Sequence, residues 1–280
     1  MSEPTKPTED SAIQRIQAEL ADLAPSTRRR VFEAFALAAL GSIPWVGGFL
    51  SAIASFKTEE GDLRANDLQT QWLREHHNKM ERLALQLNEI ALRFESLGEQ
   101  LDDRIQSDAY LDLVRRAFRA WDRAETDDKR RYVGNLVANA GGTRICSDDV
   151  VRLFIDWLDH YHESHFAVVR EVFQHPGATR ARIWEVIHDD FPREDFAEAD
   201  LFRLLIRDLS TGGVIRQERD TNVAGQFLRR RSTRRRGSAP TTMESAFEDE
   251  KPYVPTELGK QFFHYTMNEV VARIDGSPHT

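Results

Sequence analysis

An apolar run from residue 31 to residue 56 constrains the fold of this chain more than any other feature of its sequence. Only one of these 26 side chains is ionisable, and the centre of the run carries Pro44 and, three residues later, a pair of glycines. Proline inside a helix removes a hydrogen bond, and glycine has a low helix propensity. We therefore predict two short apolar helices, near 31–41 and 47–56, joined by a bend, and call residues 31–56 the apolar hairpin.

Three interpretations of the apolar hairpin are open. It forms the buried core of a helical bundle, it enters a membrane conditionally, or it is a permanent anchor. A straight helix of this length would extend about 39 Å, enough to cross a bilayer, whereas each arm of a broken pair is only about 15 Å long. In the membrane interpretations, the inserting residues are Ile43, Pro44, Trp45, Val46, Gly47, Gly48, Phe49 and Leu50.

The segment 63–105 predicts one long amphipathic helix. Its apolar residues recur at alternating steps of three and four, which is the heptad spacing of a coiled coil. Either this seam joins copies of the chain into a homo-oligomer, or another helix of the same chain covers it. The seam residues are Leu73, Met80, Leu83, Leu87, Ile90, Phe94, Leu97 and Leu101.

The rest of the chain predicts a helical continuation and a separate C-terminal domain. Thr126 and Thr179 are suitable helix N-caps, because a threonine hydroxyl accepts a hydrogen bond from an amide of the first turn. Near the end, a helix over 197–209 precedes a strand over 214–217, whose returning partner is predicted at 226–228. A short extended stretch over 253–255 then leads into a closing helix.

The predicted fold is thus mainly α, in five parts. These are a disordered leader over 1–10, a helical domain over 11–145, a connecting helix over 146–164, a C-terminal domain over 165–272 and a tail over 273–280.

Two resemblances accompany this division. The phrase Tyr253-Val254-Pro255-Thr256-Glu257-Leu258-Gly259 resembles the strand-to-helix junction of winged-helix domains, which implies a small β-ribbon and contacts with either DNA or protein. The stretch from Pro44 to Gly48 beside a long amphipathic helix resembles bacterial proteins of abortive infection and alpha-helical pore-forming toxins. The run from Asp127 to Ala140 resembles a helix end of the infection-defence proteins. This second resemblance implies no catalytic residue.

An arginine cluster near residue 230 is the strongest candidate binding feature. Six guanidinium groups fall within eight residues, and such a cluster binds the phosphates of nucleic acid or of anionic lipid. A solvated loop is the alternative, because acidic residues follow within the same loop and could shield the cluster. The predicted helix over 197–209 carries three acids and two arginines, which disfavours base reading in a DNA groove. The cluster consists of Arg229, Arg230, Arg231, Arg234, Arg235 and Arg236.

Composition and missing motifs exclude several function classes. The net charge of −8 argues against a surface that binds nucleic acid everywhere, and a single cysteine excludes a disulfide framework. There is no phosphate-binding loop, nucleophile elbow or dinucleotide fingerprint. Asp156, His160 and Glu163 share one helix face but lack a second set of ligands, so no metal or cofactor is predicted.

These observations support three hypotheses. The first is a non-enzymatic bacterial effector, for example in phage defence, that oligomerises and inserts the apolar hairpin into a membrane. The second is a DNA-associated regulator or accessory subunit that uses the arginine cluster. The third is a structural scaffold in a larger complex. Each implies a cytoplasmic protein, membrane-associated in the first case, whose partners are a protein, an anionic membrane or nucleic acid.

Overall fold

The computed structural model describes residues 29–58, 67–143, 145–188, 190–219, 222, 224, 226 and 245–267. This part of the chain is mainly helical, with a small two-stranded antiparallel sheet. It divides into two compact units. Unit 1 comprises Met1–His160 and Tyr265–Thr280, and unit 2 comprises Tyr161–His264.

Unit 1 is a helical bundle. Helix α5 packs against α1, α6 and α7, and α3 packs against α6. The predicted N-cap at Thr126 is confirmed, because its hydroxyl accepts a hydrogen bond from the Lys129 amide at 3.2 Å. The elements are α1 (Arg29–Gly41), α2 (Pro44–Thr58), α3 (Asp67–Leu97), a 3₁₀ turn (Glu99–Leu101), α4 (Asp102–Ile105), α5 (Asp108–Arg123), α6 (Asp127–Gly142) and α7 (Asp148–His160).

The apolar hairpin consists of α1 and α2, but its second arm begins earlier than predicted. Helix α2 begins at Pro44 rather than near residue 47. Proline fits the first position of a helix, because its missing amide donor has no intrahelical partner there and its φ is already helical. The glycine pair therefore lies inside α2. The bend falls at Ser42 and Ile43, and the two arms differ in direction by 97°.

The single long helix predicted over 63–105 is interrupted at Gly98. Helix α3 ends at Leu97, and Gly98 has a φ of 85°, in the left-handed region that glycine adopts without steric cost. The 3₁₀ turn and α4 follow. The prediction of one uninterrupted helix is therefore wrong at Gly98. Residues 63–66 lie outside the described part of the chain.

Part of the predicted oligomer seam is covered within unit 1. Helix α6 packs along α3, which favours the intramolecular interpretation of the heptads. Self-association stays a prediction. Leu83, Leu87, Ile90 and Phe94 are buried, with exposed fractions of 0 to 4 %. Met80, Leu97 and Leu101 are half-buried, and the side chain of Leu73 lies outside the described residues.

Unit 2 combines three helices, the two-stranded sheet and most of a fourth helix. The predicted N-cap at Thr179 is confirmed by a hydrogen bond from the Arg182 amide at 3.3 Å. Strand β1 pairs with residues 253–255, which the sequence predicted only as a short extended stretch. The predicted pairing with 226–228 stays a prediction, because residues 227 and 228 lie outside the described residues. The elements are α8 (Glu163–Gln174), α9 (Arg180–Ile187), α10 (Ala197–Thr211), β1 (Ile215–Gln217), β2 (Tyr253–Pro255) and α11 (Glu257–Met267).

The junction from β2 to α11 accounts for the residues of the motif that resembles winged-helix domains. The Thr256 hydroxyl accepts a hydrogen bond from the Gly259 amide at 2.9 Å, which caps α11. The Thr256 amide donates to the Val214 carbonyl at 3.0 Å. A Cβ atom on Gly259 would lie only 2.0 Å from the same carbonyl oxygen, so the close approach of helix and strand requires glycine.

Tyr265 and Thr266 of α11 contribute to the core of unit 1. The side-chain amides of Asn135 and Asn139 on α6 donate to the carbonyls of Thr266 and Tyr265, both at 2.9 Å. Both asparagines are buried, at 1 and 4 % exposure. Buried polar groups are costly unless they are hydrogen-bonded. The two asparagines meet this requirement.

Candidate functional site

The predicted membrane-inserting residues lie largely in the core of unit 1. Their side chains pack among the helices of the bundle rather than forming a continuous exposed surface. Ile43, Val46, Phe49 and Leu50 are buried, with exposed fractions of 2 to 5 %. Trp45 and Gly47 are half-buried, and Pro44 and Gly48 are exposed.

Trp45 anchors the start of α2 to two other helices. Its indole N–H donates to the Asp122 carboxylate of α5 at 2.6 Å. The Lys79 ammonium of α3 lies 3.8 Å from the same carboxylate and 5.8 Å from the centre of the indole ring. His76 packs edge-on against the indole at a centroid distance of 4.9 Å. The hairpin is therefore held by specific polar contacts as well as by burial.

The energy of burial shows what release of the hairpin would require. Eight large apolar side chains in its described part are at most 9 % exposed. At roughly 1.5 to 3 kcal/mol each, moving them into water would cost about 12 to 24 kcal/mol. This matches or exceeds the whole stability of a typical domain, about 5 to 15 kcal/mol. The eight are Val31, Phe32, Phe35, Leu40, Ile43, Val46, Phe49 and Leu50.

Within the described residues, no individual helix combines the length and apolar character needed to cross a membrane. The pair Arg30–Gly41 and Pro44–Ala52 meets these criteria when taken together, despite its sharp bend.

A concave cleft in unit 2 has the most distinctive chemistry of the described residues. Its volume is about 760 Å³, and it lies where α9, α10, β1 and β2 meet. Among the described residues that line it, five are arginines and one is acidic. We call this surface the arginine cleft. The charged lining residues are Arg180, Arg203, Arg207, Arg216, Arg219 and Asp200.

The turn after α10 brings the two walls of the cleft together. Gly213 has a φ of 77°, and the Val214 amide donates back to the Leu209 carbonyl at 2.9 Å, which ends the helix. Strand β1 begins directly afterwards. Arg207, near the end of α10, and Arg216, on β1, therefore line the same concave surface.

Tyr253 fixes the floor of the arginine cleft. It is only 2 % exposed, and its hydroxyl accepts hydrogen bonds from Arg180 Nε at 3.1 Å and Gln217 Nε2 at 3.3 Å. Arg180 also donates to the Ser245 carbonyl at 3.3 Å. These bonds orient one guanidinium group before any ligand arrives, so ligand binding needs less ordering of that side chain.

The arginines of the cleft differ in their acidic neighbours. Arg203 is ion-paired with Glu194 and, at 2.8 Å, with Asp200. Arg207 is 73 % exposed, and its nearest carboxylate oxygen among the described residues, on Asp208, lies 4.0 Å away. Arg207 therefore presents its guanidinium group to solvent, whereas Arg203 is engaged within the protein.

Sequence reasoning missed this cleft because it counted charges over the whole of the helix. Glu198 and Asp200 lie in the first turn, where their negative charges interact favourably with the positive end of the helix dipole. Arg203 and Arg207 are four residues apart and therefore share one face. A count by helical face would have found this pair, but only the tertiary fold brings the arginines of β1 and α9 beside it.

None of the other candidates from the sequence is shown to form a site by the described residues. The six arginines from residue 229 to residue 236 lie outside the described residues. Asp156 is ion-paired with Arg116 at 2.6 Å, and among the described residues no group of His, Cys, Asp and Glu side chains has metal-binding geometry. Burial raises the pKa of the Cys146 thiol, which leaves it a weak nucleophile at neutral pH.

Comparison of the chain with protein-family models, with curated proteins and with solved structures finds no match. The arginine cleft is therefore interpreted from its own geometry and charge.

Proposed function

We propose that this protein is a non-enzymatic accessory protein that binds nucleic acid, and that unit 2 contacts the phosphate backbone through the arginine cleft. The observation that carries the proposal is the set of five arginines around one concave surface, where the described lining residues include a single carboxylate. Guanidinium groups bind phosphate oxygens through paired, charge-assisted hydrogen bonds. A surface of this kind offers several such contacts side by side.

The charge distribution along α10 favours contact with phosphates over reading of bases. The exposed acids Glu198 and Asp200 lie in its first turn, where they would repel the backbone of a duplex entered by that end of the helix. Arg203 and Arg207 lie further along and line the cleft. Phosphate contacts supply affinity and orientation but little sequence information. We therefore expect binding that depends weakly on base sequence.

The shape of the site favours nucleic acid over a membrane as the partner. A bilayer is flat on the scale of this cleft and reaches its interior only with single headgroups. A nucleic-acid backbone is a narrow ridge of phosphates that lies along a concave surface. In addition, most large apolar residues of the described hairpin are engaged in the core of unit 1.

The first test is the salt dependence of DNA binding by the full chain. Each arginine-to-phosphate contact contributes about 0.9 to the negative slope of log affinity against log salt. The triple variant Arg207→Ala, Arg216→Ala, Arg219→Ala is expected to reduce the slope by about 2.7. Between 50 and 200 mM salt, the fold-loss of affinity should then be about 40 times smaller than for the wild type. Fluorescence anisotropy with a labelled duplex of random sequence measures both quantities.

A matched control removes the same charge elsewhere. Arg115, Arg119 and Arg131 are exposed residues of unit 1, and their replacement by alanine should leave the slope nearly unchanged. The proposal would be contradicted if the two triple variants lost equal amounts of DNA affinity and salt slope, or if the cleft variant bound DNA as the wild type does. Binding to vesicles that contain phosphatidylserine, without binding to DNA, would favour the membrane hypothesis instead.

A further inference from the structure

Glu194 occupies a set of anion-binding donors beside the arginine cleft. Its carboxylate accepts hydrogen bonds from the Ala246 amide, at 3.2 and 3.0 Å to the two oxygens, and from the Ser245 hydroxyl. The guanidinium group of Arg203 donates to the same carboxylate. A backbone amide, a hydroxyl and a guanidinium group that converge in this way form the kind of donor set that binds a phosphate.

The donors on Ser245 and Ala246 are held in place by contacts that do not depend on the Glu194 side chain. The Ser245 carbonyl accepts a hydrogen bond from Arg180, which also bonds to Tyr253. The Ser245 hydroxyl accepts from the Phe247 amide at 3.0 Å, which closes a tight turn. The turn that presents the Ala246 amide is thus built independently of its carboxylate occupant.

Arg203 connects this donor set to the arginine cleft. It lines the cleft, and its side chain is 28 % exposed. Its Nη1 atom donates to Asp200 and to the Glu194 carbonyl, and its Nη2 atom donates to the Glu194 carboxylate. Its charge is therefore largely offset by neighbouring carboxylates, and it is not available to an external ligand in this conformation.

We infer that Arg203, Ser245 and Ala246 form a phosphate subsite. The carboxylate of Glu194, from the same chain, occupies this subsite, and a backbone phosphate of bound nucleic acid displaces it. This inference rests on the proposed function of the cleft and adds a competitor that limits the affinity. Displacement exchanges one anion for another on the same donors, so the internal bonds are replaced rather than lost. Glu194 then has access to solvent, since its side chain is already 46 % exposed.

The charge state of Glu194 supports this competition. Burial alone would raise the pKa of its carboxyl group. The hydrogen bonds from Ala246 and Ser245 and the charge of Arg203 together outweigh burial, and the pKa is lowered. Glu194 is therefore ionised at neutral pH, so an incoming phosphate meets a charged competitor.

The test compares two substitutions at neighbouring positions. Glu194→Gln removes the charge and keeps the size of the side chain and one acceptor oxygen. Asp195→Asn is the control, because it removes the same charge one residue away. Asp195 pairs with Arg193 at 2.8 Å, and neither Asp195 nor Arg193 lines the cleft. Glu194→Gln is expected to tighten duplex binding beyond Asp195→Asn and to steepen the salt slope by about 0.9, the value of one added phosphate contact.

Adding Arg203→Ala to the Glu194→Gln variant should cancel the gain in slope. Equal effects of the two single substitutions, or a gain that survives the loss of Arg203, would overturn the inference. Either result would show that the overall charge of the protein, rather than an opened subsite, controls the affinity for DNA.

A second measurement separates this inference from the proposed function. Inorganic phosphate is titrated into the full chain while the amide resonance of Ala246 is followed by NMR. A saturable shift in Glu194→Gln, absent or much weaker in the wild type, supports a closed subsite whether or not the protein binds DNA. The absence of a shift in the variant overturns the inference, whereas absent DNA binding with a clear phosphate shift overturns only the proposed function.

Discussion

Replacement of Phe35 by alanine tests whether the apolar hairpin is a permanent part of the core. Phe35 is fully buried on α1, and its ring packs against three other rings. The centroid distances are 5.5 Å to Phe94, 6.2 Å to Phe118 and 6.1 Å to Phe32. Truncation of a buried phenylalanine costs about 3 to 5 kcal/mol, from lost apolar burial and from the cavity left behind. We expect the upper half of this range, because aromatic pairs add about 0.5 to 1.5 kcal/mol each.

Two measurements check this expectation. Urea unfolding gives the change in the free energy of unfolding, and Leu37→Ala on the same helix is the control, since Leu37 is 43 % exposed and should change it by about 0.5 kcal/mol or less. Hydrogen exchange then reports on unit 1 directly. In a permanent core, the amides of α1 and α2 exchange with the same free energy of opening as those of α5.

Opposite results would refute the argument from burial. A loss below about 1 kcal/mol for Phe35→Ala would mean that the hairpin is weakly packed. Exchange of the α1 and α2 amides by a local opening, well below the global free energy, would mean that the hairpin leaves the bundle without unfolding it. Such a local opening is what the hypothesis of conditional membrane insertion requires, and that hypothesis would then be favoured.

Two further predictions concern the packing of glycines and the titration of Tyr161. Gly259→Ala should lower the stability of unit 2 by about 1 to 3 kcal/mol or more, because the new methyl group meets the Val214 carbonyl. At Gly48 in α2, a new methyl group meets no atom within 4 Å, so Gly48→Ala should stabilise unit 1 by about 0.5 to 1 kcal/mol. Thermal unfolding of both variants measures this contrast. Burial, followed by the charge of Asp208, raises the pKa of Tyr161 to about 12 from its ordinary value near 10. The folded state thus holds this proton more tightly than the unfolded state, so its stabilising contribution is complete below pH 10 and declines as the pH rises towards 12. Denaturant midpoints should fall less steeply over this interval in Tyr161→Phe, and parallel declines in the two proteins would contradict the assignment.

Features that depend on neighbouring residues were predictable from the sequence. The N-caps at Thr126 and Thr179 are examples, because a cap is formed by a side chain and an amide three residues away. The bent apolar hairpin is another, although Pro44 took the first position of α2 instead of the bend. Proline restricts the local backbone strongly, but a bend and the first position of a helix both satisfy that restriction.

Pairings between distant segments were not predictable. The heptads of α3 predict an apolar stripe equally well whether α6 or a second copy of the chain covers it, because periodicity describes one face and not its partner. The partner of β1 is another example, since the segments 226–228 and 253–255 are both predicted to be extended and either could pair with it. The strand at 253–255 pairs with β1 and places Tyr253 in the arginine cleft.

The sequence by itself determined the mainly helical character, the bent hairpin and the local caps. Each of these follows from the backbone preferences of residues close together in the chain. Only the tertiary structure decided that the hairpin is buried, that α3 is covered by α6, and that arginines from α9, α10 and the strand segment surround one cleft. Burial and charge convergence depend on which segments meet in space, and the chain order does not specify that.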